Sequence, residues 1–405
     1  MTRLQRFLVL VLVIAPLPAH AGDMIPTTTE LDLAAVVAAA TGNRPEQSVY
    51  EADYRHAEAM GARAQSFLDA APSVGFSHQT DALGSDTGMR EWEGSIQLPL
   101  RLPGLQAAAE QHASSLASVA ERGDARWRLE VAGQIRALLA SLAEADEAVQ
   151  VAERAVKTAE ELQAQVQRRL ELGDVPRTDL ILAREETLQR RAEAREAHLA
   201  RARLAEEYRA ITDLNTRPAD WAETPASRDR LEQHPALLAA DATVQASEAQ
   251  RVMIRERGTP QPTLGMNIRR EEDGTDSIDS VGVSVSIPIA LGSLRAPERS
   301  GAEQDLARAR SQAAVIERQL GIALRQAEKA LTAARHEREM ALEHRDLAEE
   351  SLALARRAYA LGESDLADLL RVRSRALAAE RRAAMSGIRL DRSISEFNQA
   401  MGIMP

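Results

Sequence analysis

Histidines and two aspartates that recur in register are the residues of this chain best suited to bind an ion or react. The histidines are His20, His56, His78, His112, His198, His234, His336 and His344, scattered along the chain. The closest pair, His336 and His344, is eight residues apart on an expected helix, too far for one metal ion, so solvent-facing positions are expected. No cysteine is present, which excludes disulfides, thiol catalysis, Cys-ligated zinc and a lipid-modified N-terminal cysteine. H-E-x-x-H, G-x-S-x-G and phosphate-cradling glycine motifs are also absent from the sequence. The expectation is a protein with no catalytic, cofactor or metal site, and not an enzyme. Asp179 and Asp368 stand out differently. They lie in the same place in two copies of one pattern, about two turns beyond Leu172-Gly173 and Leu361-Gly362, where an acid in a first helical turn is favoured by the helix dipole.

The elements that hold them come from a tandem duplication. Pro45 and Pro235, and Pro72 and Pro262, are separated by 190 residues. Pro99 and Pro288, Leu172-Gly173 and Leu361-Gly362, Asp179-Leu180 and Asp368-Leu369, and Glu207-Tyr208 and Glu396-Phe397 are separated by 189. The expected organisation is a first repeat over 22–212, a linker over 213–230 carrying Pro218, Trp221 and Pro225, and a second repeat over 231–405.

Each repeat changes its hydrophobic period partway along. Val281, Val283, Val285, Ile287 and Ile289 alternate with Ser280, Gly282, Ser284, Ser286 and Pro288, and Leu264, Met266 and Ile268 alternate with Gly265, Asn267 and Arg269. Period-two patterns mean strands with one apolar face, predicted at 73–80, 91–100, 263–270 and 280–289. Polar turns between them make two hairpins. Strands of about ten residues can cross a bilayer when tilted, and little soluble core is expected to cover their apolar faces. Four strands cannot close a barrel, and open edges are not tolerated in lipid, so strands that enter a membrane require several chains to share one barrel.

Elsewhere the period is about 3.5. A seam runs through Leu138, Leu142, Ala145, Val149, Ala152, Val156 and Ala159, and the second copy reads Ala327, Leu331, Ala334, Arg338, Ala341, Arg345 and Ala348. A sustained heptad implies left-handed packing against another helix. Arg338 and Arg345 replace Val149 and Val156, as a seam partly facing water would allow. Helices are predicted at 45–70, 105–172 and 176–210 in the first repeat, and at 235–257, 294–361 and 365–401 in the second. The stretch 105–172 alone would reach on the order of 100 Å. The fold class is therefore mainly α with a small β part, a duplicated unit of β-hairpin plus long coiled-coil-like helices.

The formal charge is −11, and acids and bases interleave rather than cluster, which argues against nucleic-acid binding. Residues 1–21 read as a secretory signal, with Arg3 and Arg6, an apolar stretch over 7–14 and Ala19-His20-Ala21, cleaved before Gly22. Its removal makes the expected charge −13. No later segment is apolar enough for a transmembrane helix.

These pieces together resemble the TolC family of outer-membrane efflux proteins. The resemblance rests on Leu231-Glu-Gln-His234-Pro235-Ala-Leu237 leading to Pro262-Thr263-Leu264, on the strand-to-Pro288 exit into a long helix, and on the tip Leu361-Gly362-x-x-Asp365-x-x-Asp368-Leu369. Modest length and the missing lipid cysteine resemble the CzcC-like heavy-metal efflux subgroup. The resemblance implies a homotrimer: a 12-stranded β-barrel in outer-membrane lipid, twelve helices as a periplasmic α-barrel, and docking to a periplasmic adaptor and an inner-membrane pump of the RND type. It implies that Asp179 and Asp368 ring a periplasmic gate and that Leu172, Gly173, Leu361 and Gly362 are adaptor-docking tips. Helix-dipole and turn chemistry account for the same residues without those roles. Arg371 departs from the acid pattern of the best-known member, which implies a salt-bridge lock with Asp368. Two rival readings are a periplasmic adaptor, disfavoured by the nearly all-helical end after Leu294, and a coiled-coil scaffold, which leaves the strands unexplained.

Overall fold

The computed structural model describes residues 24–84, 87–227, 232–289 and 292–405; the expected signal over 1–21 lies outside them. Elements follow in the order β1 Thr27–Thr28, α1 Leu33–Gly42, α2 Gln47–Ala64, β2 Ser73–Thr80, β3 Arg90–Pro99, α3 Pro103–Glu171, α4 Arg177–Thr212, β4 Arg217–Pro218, α5 Pro235–Arg257, β5 Thr263–Glu272, β6 Ser277–Ser286, α6 Gly292–Ala360 and α7 Leu366–Ala400. The two long helices, α3 and α6, have 69 residues each. No described helix is long and apolar enough to cross a membrane.

Contacts divide the chain into two units. One comprises residues through Val36, 137–221 and 335–391; the other comprises 37–136, 222–334 and 392–405.

The second unit holds a four-stranded sheet ordered β2-β3-β5-β6, antiparallel throughout. The repeats meet at its centre, where β3 pairs with β5 with Ile96 opposite Met266. Register aligns the alternation across all four strands. Val74, Ile96, Met266 and Val283 form one row, and Phe76, Gly94, Ile268 and Val281 the next. In the same unit, Arg136 is buried and ties together residues 223, 399 and 403. It donates to both carboxylate oxygens of Glu223 and to Ile403 O and Gln399 Oε1.

The first unit packs α3, α4, α6 and α7. Leu138, Leu142, Ala145, Val149 and Ala159 of the expected seam are buried, as is Ala341 within the second copy. Arg338 is exposed, and the Arg345 guanidinium is engaged by Asp346 at 2.7 Å. In α6 the seam has therefore opened to water, which is why two arginines are tolerated there. Tyr208 is buried and donates to Thr216 O, and burial pushes its hydroxyl up to about 12.

Several predicted bounds are corrected. The helix predicted at 45–70 ends at Ala64, because Leu68 forms an antiparallel bridge with Leu100 and Phe67 O accepts from Arg101 N. The strand predicted at 280–289 runs from Ser277 to Ser286. Its partner β5 begins at Thr263, just after Pro262, so the alternation over 287–289 continues past the last paired residue. The linker over 213–230 is not wholly irregular: β4 pairs in parallel with β1, and Arg217 also forms an ion pair with Asp146. Helix α1 was not expected; Asp32 caps it by accepting from Ala35 N at 2.7 Å.

Candidate functional site: the paired helical tips

Both tip turns end a long helix by the same device. Gly173 has φ +82° and Gly362 φ +75°, a left-handed conformation that a side chain disfavours. Gly173 N donates to Leu170 O and Asp174 N to Arg169 O; in the second tip, Gly362 N donates to Tyr359 O and Glu363 N to Ala358 O. These are the paired bonds of a Schellman ending, which satisfy carbonyls the helix leaves open. The residues just before the glycines, Leu172 and Leu361, are 77% and 68% exposed. Two leucines presented to solvent at matching turns are the apolar features of the tip surface.

Beneath the turns the two hairpins share one core. Leu162, Val166, Leu180, Ala183, Tyr359, Leu366 and Leu369 are buried together, with Leu170, Val175 and Leu352 against them. Burying each of the larger side chains contributes about 1.5–3 kcal/mol. Arg169 lies over the Tyr359 ring, 5.0 Å from its centroid. Burial raises the Tyr359 hydroxyl pKa, Arg169 opposes the rise and Asp179 adds to it. The charge of Asp179 in one repeat is thus felt by the tyrosine of the other.

The equivalent acids are held differently. Asp365 caps α7 by accepting from Asp368 N at 2.7 Å, and the Asp368 carboxylate forms an ion pair with Arg371, one turn on. In the first tip Pro176 takes the capping position without a side-chain bond, Asp179 N donates to Pro176 O, and Leu182 stands where Arg371 does. Asp179 and Asp368 are both half-buried. The expected gate residues thus converge on one tip region, with a local ion pair on one side only.

The sequence reading missed a charge cluster farther along the hairpins. Burial lowers the pKa of Arg373, with Arg356 and Arg190 acting the same way and Glu186 and Glu161 opposing them. Arg190 itself is bound by Glu186 at 2.8 Å and Glu193 at 2.7 Å. Periodicity carries no sign of this cluster, since its members come from four different helices. Among the described residues no group of three or more His, Asp or Glu side chains could hold a metal ion.

A mainly helical chain with duplicated long hairpins and a four-stranded sheet of this register is the fold of the TolC-like channels. The outer membrane protein VceC of Vibrio cholerae superposes with a TM-score of 0.76 at 16% identity, over 91% of this chain and 96% of that one. The CmeC outer membrane channel of Campylobacter jejuni gives 0.74 at 18%, over 91% and 85%. CusC, whose structures describe transmembrane channel formation, gives 0.76 at 13%, over 92% of each chain. Residues 226–402 match the family described as outer membrane efflux protein. No curated protein matches the chain. The family match falls mainly on the second repeat, and the chain has the fold of the TolC-like channels.

Proposed function

We propose that this chain is the outer-membrane subunit of a tripartite efflux pump, a passive duct built from three copies. The observation that carries the reading is an apolar sheet face left uncovered. Val281 is 77%, Phe76 72% and Val283 68% exposed. A soluble sheet would turn the apolar rows inward. A wall between lipid and water would turn them outward. Four strands leave β2 and β6 as open edges, which lipid does not tolerate, so neighbouring copies close the barrel; three copies supply twelve strands.

In this arrangement the helices lie in the periplasm, and the tips meet a periplasmic adaptor and, through it, an inner-membrane pump of the RND type. Leu172 and Leu361 supply the apolar contacts of that docking, shaped by Gly173 and Gly362. Asp179 and Asp368 line the constriction, and Arg371 locks the Asp368 side. Heavy-metal cations are the cargo that the CzcC-like resemblance adds, with selection left mainly to the pump.

The test is the mass and location of the native complex. The full chain should fractionate with the outer membrane and, extracted in mild detergent, give the mass of three copies. A monomer released without detergent would overturn the reading.

A further inference from the structure

In the first unit, two of the four packed helices carry a second apolar stripe that nothing in the chain covers. On α4, Ile181, Leu188 and Leu199 are exposed and share one line along the helix. On α6, Met340, Leu347 and Leu354 do the same at heptad spacing. These stripes stand roughly 120° to 150° around their helices from the buried faces, marked by Ala183 and Thr187 on α4 and by Ala341 and Tyr359 on α6. Helix α3 shows the covered form of such a pattern: Val149 and Val151 lie on opposite sides of it and both are buried. It has a neighbour on each side, whereas α4 and α6 each lack one.

The flanks of the two stripes are complementary in charge. Arg184 and Arg195 border the α4 stripe, Glu343 and Glu350 border the α6 stripe, and all four are exposed. Nearby charges are already taken, Arg191 by Glu160 and Asp346 by Arg345. Among the described residues these four have no ion-pair partner.

Their heights agree as well. Leu180 and Ala183 of α4 share the tip core with Leu352 and Tyr359 of α6, and α4 leads away from the tips while α6 leads toward them. Counted from that core at equal rise per residue, Ile181 is level with Leu354, Leu188 with Leu347 and Leu199 with Met340. On the same count Arg184 is level with Glu350 and Arg195 with Glu343. Rotation about a channel axis preserves height, so these levels carry over from one copy to the next. Laid antiparallel, stripe on stripe, the two helices bring the arginines and the glutamates to the same flank.

We infer that the exposed stripe of α4 in one copy docks antiparallel on the exposed stripe of α6 in a second copy of this chain, with Arg195 against Glu343 and Arg184 against Glu350. This rests on the duct reading, which arranges the copies by rotation about one axis, and it adds which helices meet and in what register. Apolar stripes alone specify register weakly, and flanking charges fix it. A slip of one heptad would set Arg195 against Glu350 but leave Arg184 beside Leu361.

The chain has no cysteine, so introduced thiols report the register. Full-length Arg195→Cys and Glu343→Cys chains carrying different affinity tags are co-expressed and oxidised in isolated membranes. A disulfide-linked dimer holding both tags should form. Arg184→Cys with Glu343→Cys, roughly 16 Å out of register, should give none. Arg195→Glu should lower severalfold the fraction that survives mild detergent as the native oligomer, and adding Glu343→Arg should restore it. Two-tag dimers from both thiol pairs alike, or from neither while the wild type has the mass of three copies, would overturn the seam and leave the duct standing. A wild type that stays monomeric would overturn the duct reading, and the seam with it.

Discussion

Arg169 and Tyr359 belong to different repeats, and the guanidinium of one lies over the ring of the other at 5.0 Å. This contact ties the tip of the first hairpin to the tip of the second, directly above the buried leucines they share. An exposed cation–π pair contributes about 0.5–1 kcal/mol, whereas the Tyr359 side chain fills the core itself. Tyr359→Ala should therefore cost about 3–5 kcal/mol of tip stability, and Arg169→Ala about 1 kcal/mol or less. Amide hydrogen exchange over residues 162–183 should accelerate strongly in the first variant and slightly in the second.

The tip glycines are required for conformation rather than space. A Cβ built at Gly173 or Gly362 meets nothing within 4 Å, so the cost of Gly362→Ala is the left-handed backbone, about 1–2 kcal/mol. At Gly402, which has the same φ, an added Cβ would stand 2.7 Å from His234 Cδ2, so Gly402→Ala should cost more. Urea unfolding of the three alanine variants should rank Gly402 above Gly173 and Gly362.

His234 makes stability fall in acid. Its Nδ1 accepts from Ala236 N at 3.1 Å and caps α5. Burial lowers its pKa, opposed by a hydrogen bond with the backbone of Gln399. Above the ordinary histidine pKa of 6.5 both native and unfolded rings are neutral, so stability is flat there. As pH drops below it, the unfolded ring takes a proton first and the native state loses stability. Protonating Nδ1 also ends the cap, worth about 1 kcal/mol. His112, buried and lowered in the same direction, adds a second contribution. His234→Asn, which keeps a capping oxygen, should flatten part of the decline between pH 7 and 5 in thermal unfolding.

The gate proposal separates the two acids. Asp368 is neutralised locally by Arg371, and Asp179 has Leu182 in the corresponding place. Arg371→Ala should raise both conductance and cation preference in planar bilayers, by loosening the lock and freeing the carboxylate. Asp368→Asn should lower cation preference. If both variants match wild type, neither residue is part of the gate.

Much of this fold could be read from the sequence because its signals are periodic. Alternation in 281–289 announced a one-sided strand, and the 189-residue offset carried Leu172-Gly173 onto Leu361-Gly362. Strand register could not be read, because the pattern in Ile287 and Ile289 runs on beyond the partner that ends the pairing at Ser286. Helix α1 has no counterpart among the described residues of the second repeat, so the duplication could not reveal it. The clamp of Arg136 on Glu223 and Gln399 joins residues 87 and 263 positions apart, and such pairs leave no local trace. The ion pair between Arg371 and Asp368 was visible because it spans a single helical turn.

The central claim is that the sheet is a wall with lipid on its apolar face and water on the other. Single cysteines placed in turn at 280 through 285, spin-labelled in the assembled protein in lipid, measure it directly. Val281, Val283 and Val285 positions should be accessible to oxygen dissolved in the bilayer, and Ser280, Gly282 and Ser284 positions to a water-soluble nickel chelate, alternating with a period of two. Uniform access of the chelate to all six positions would contradict the account.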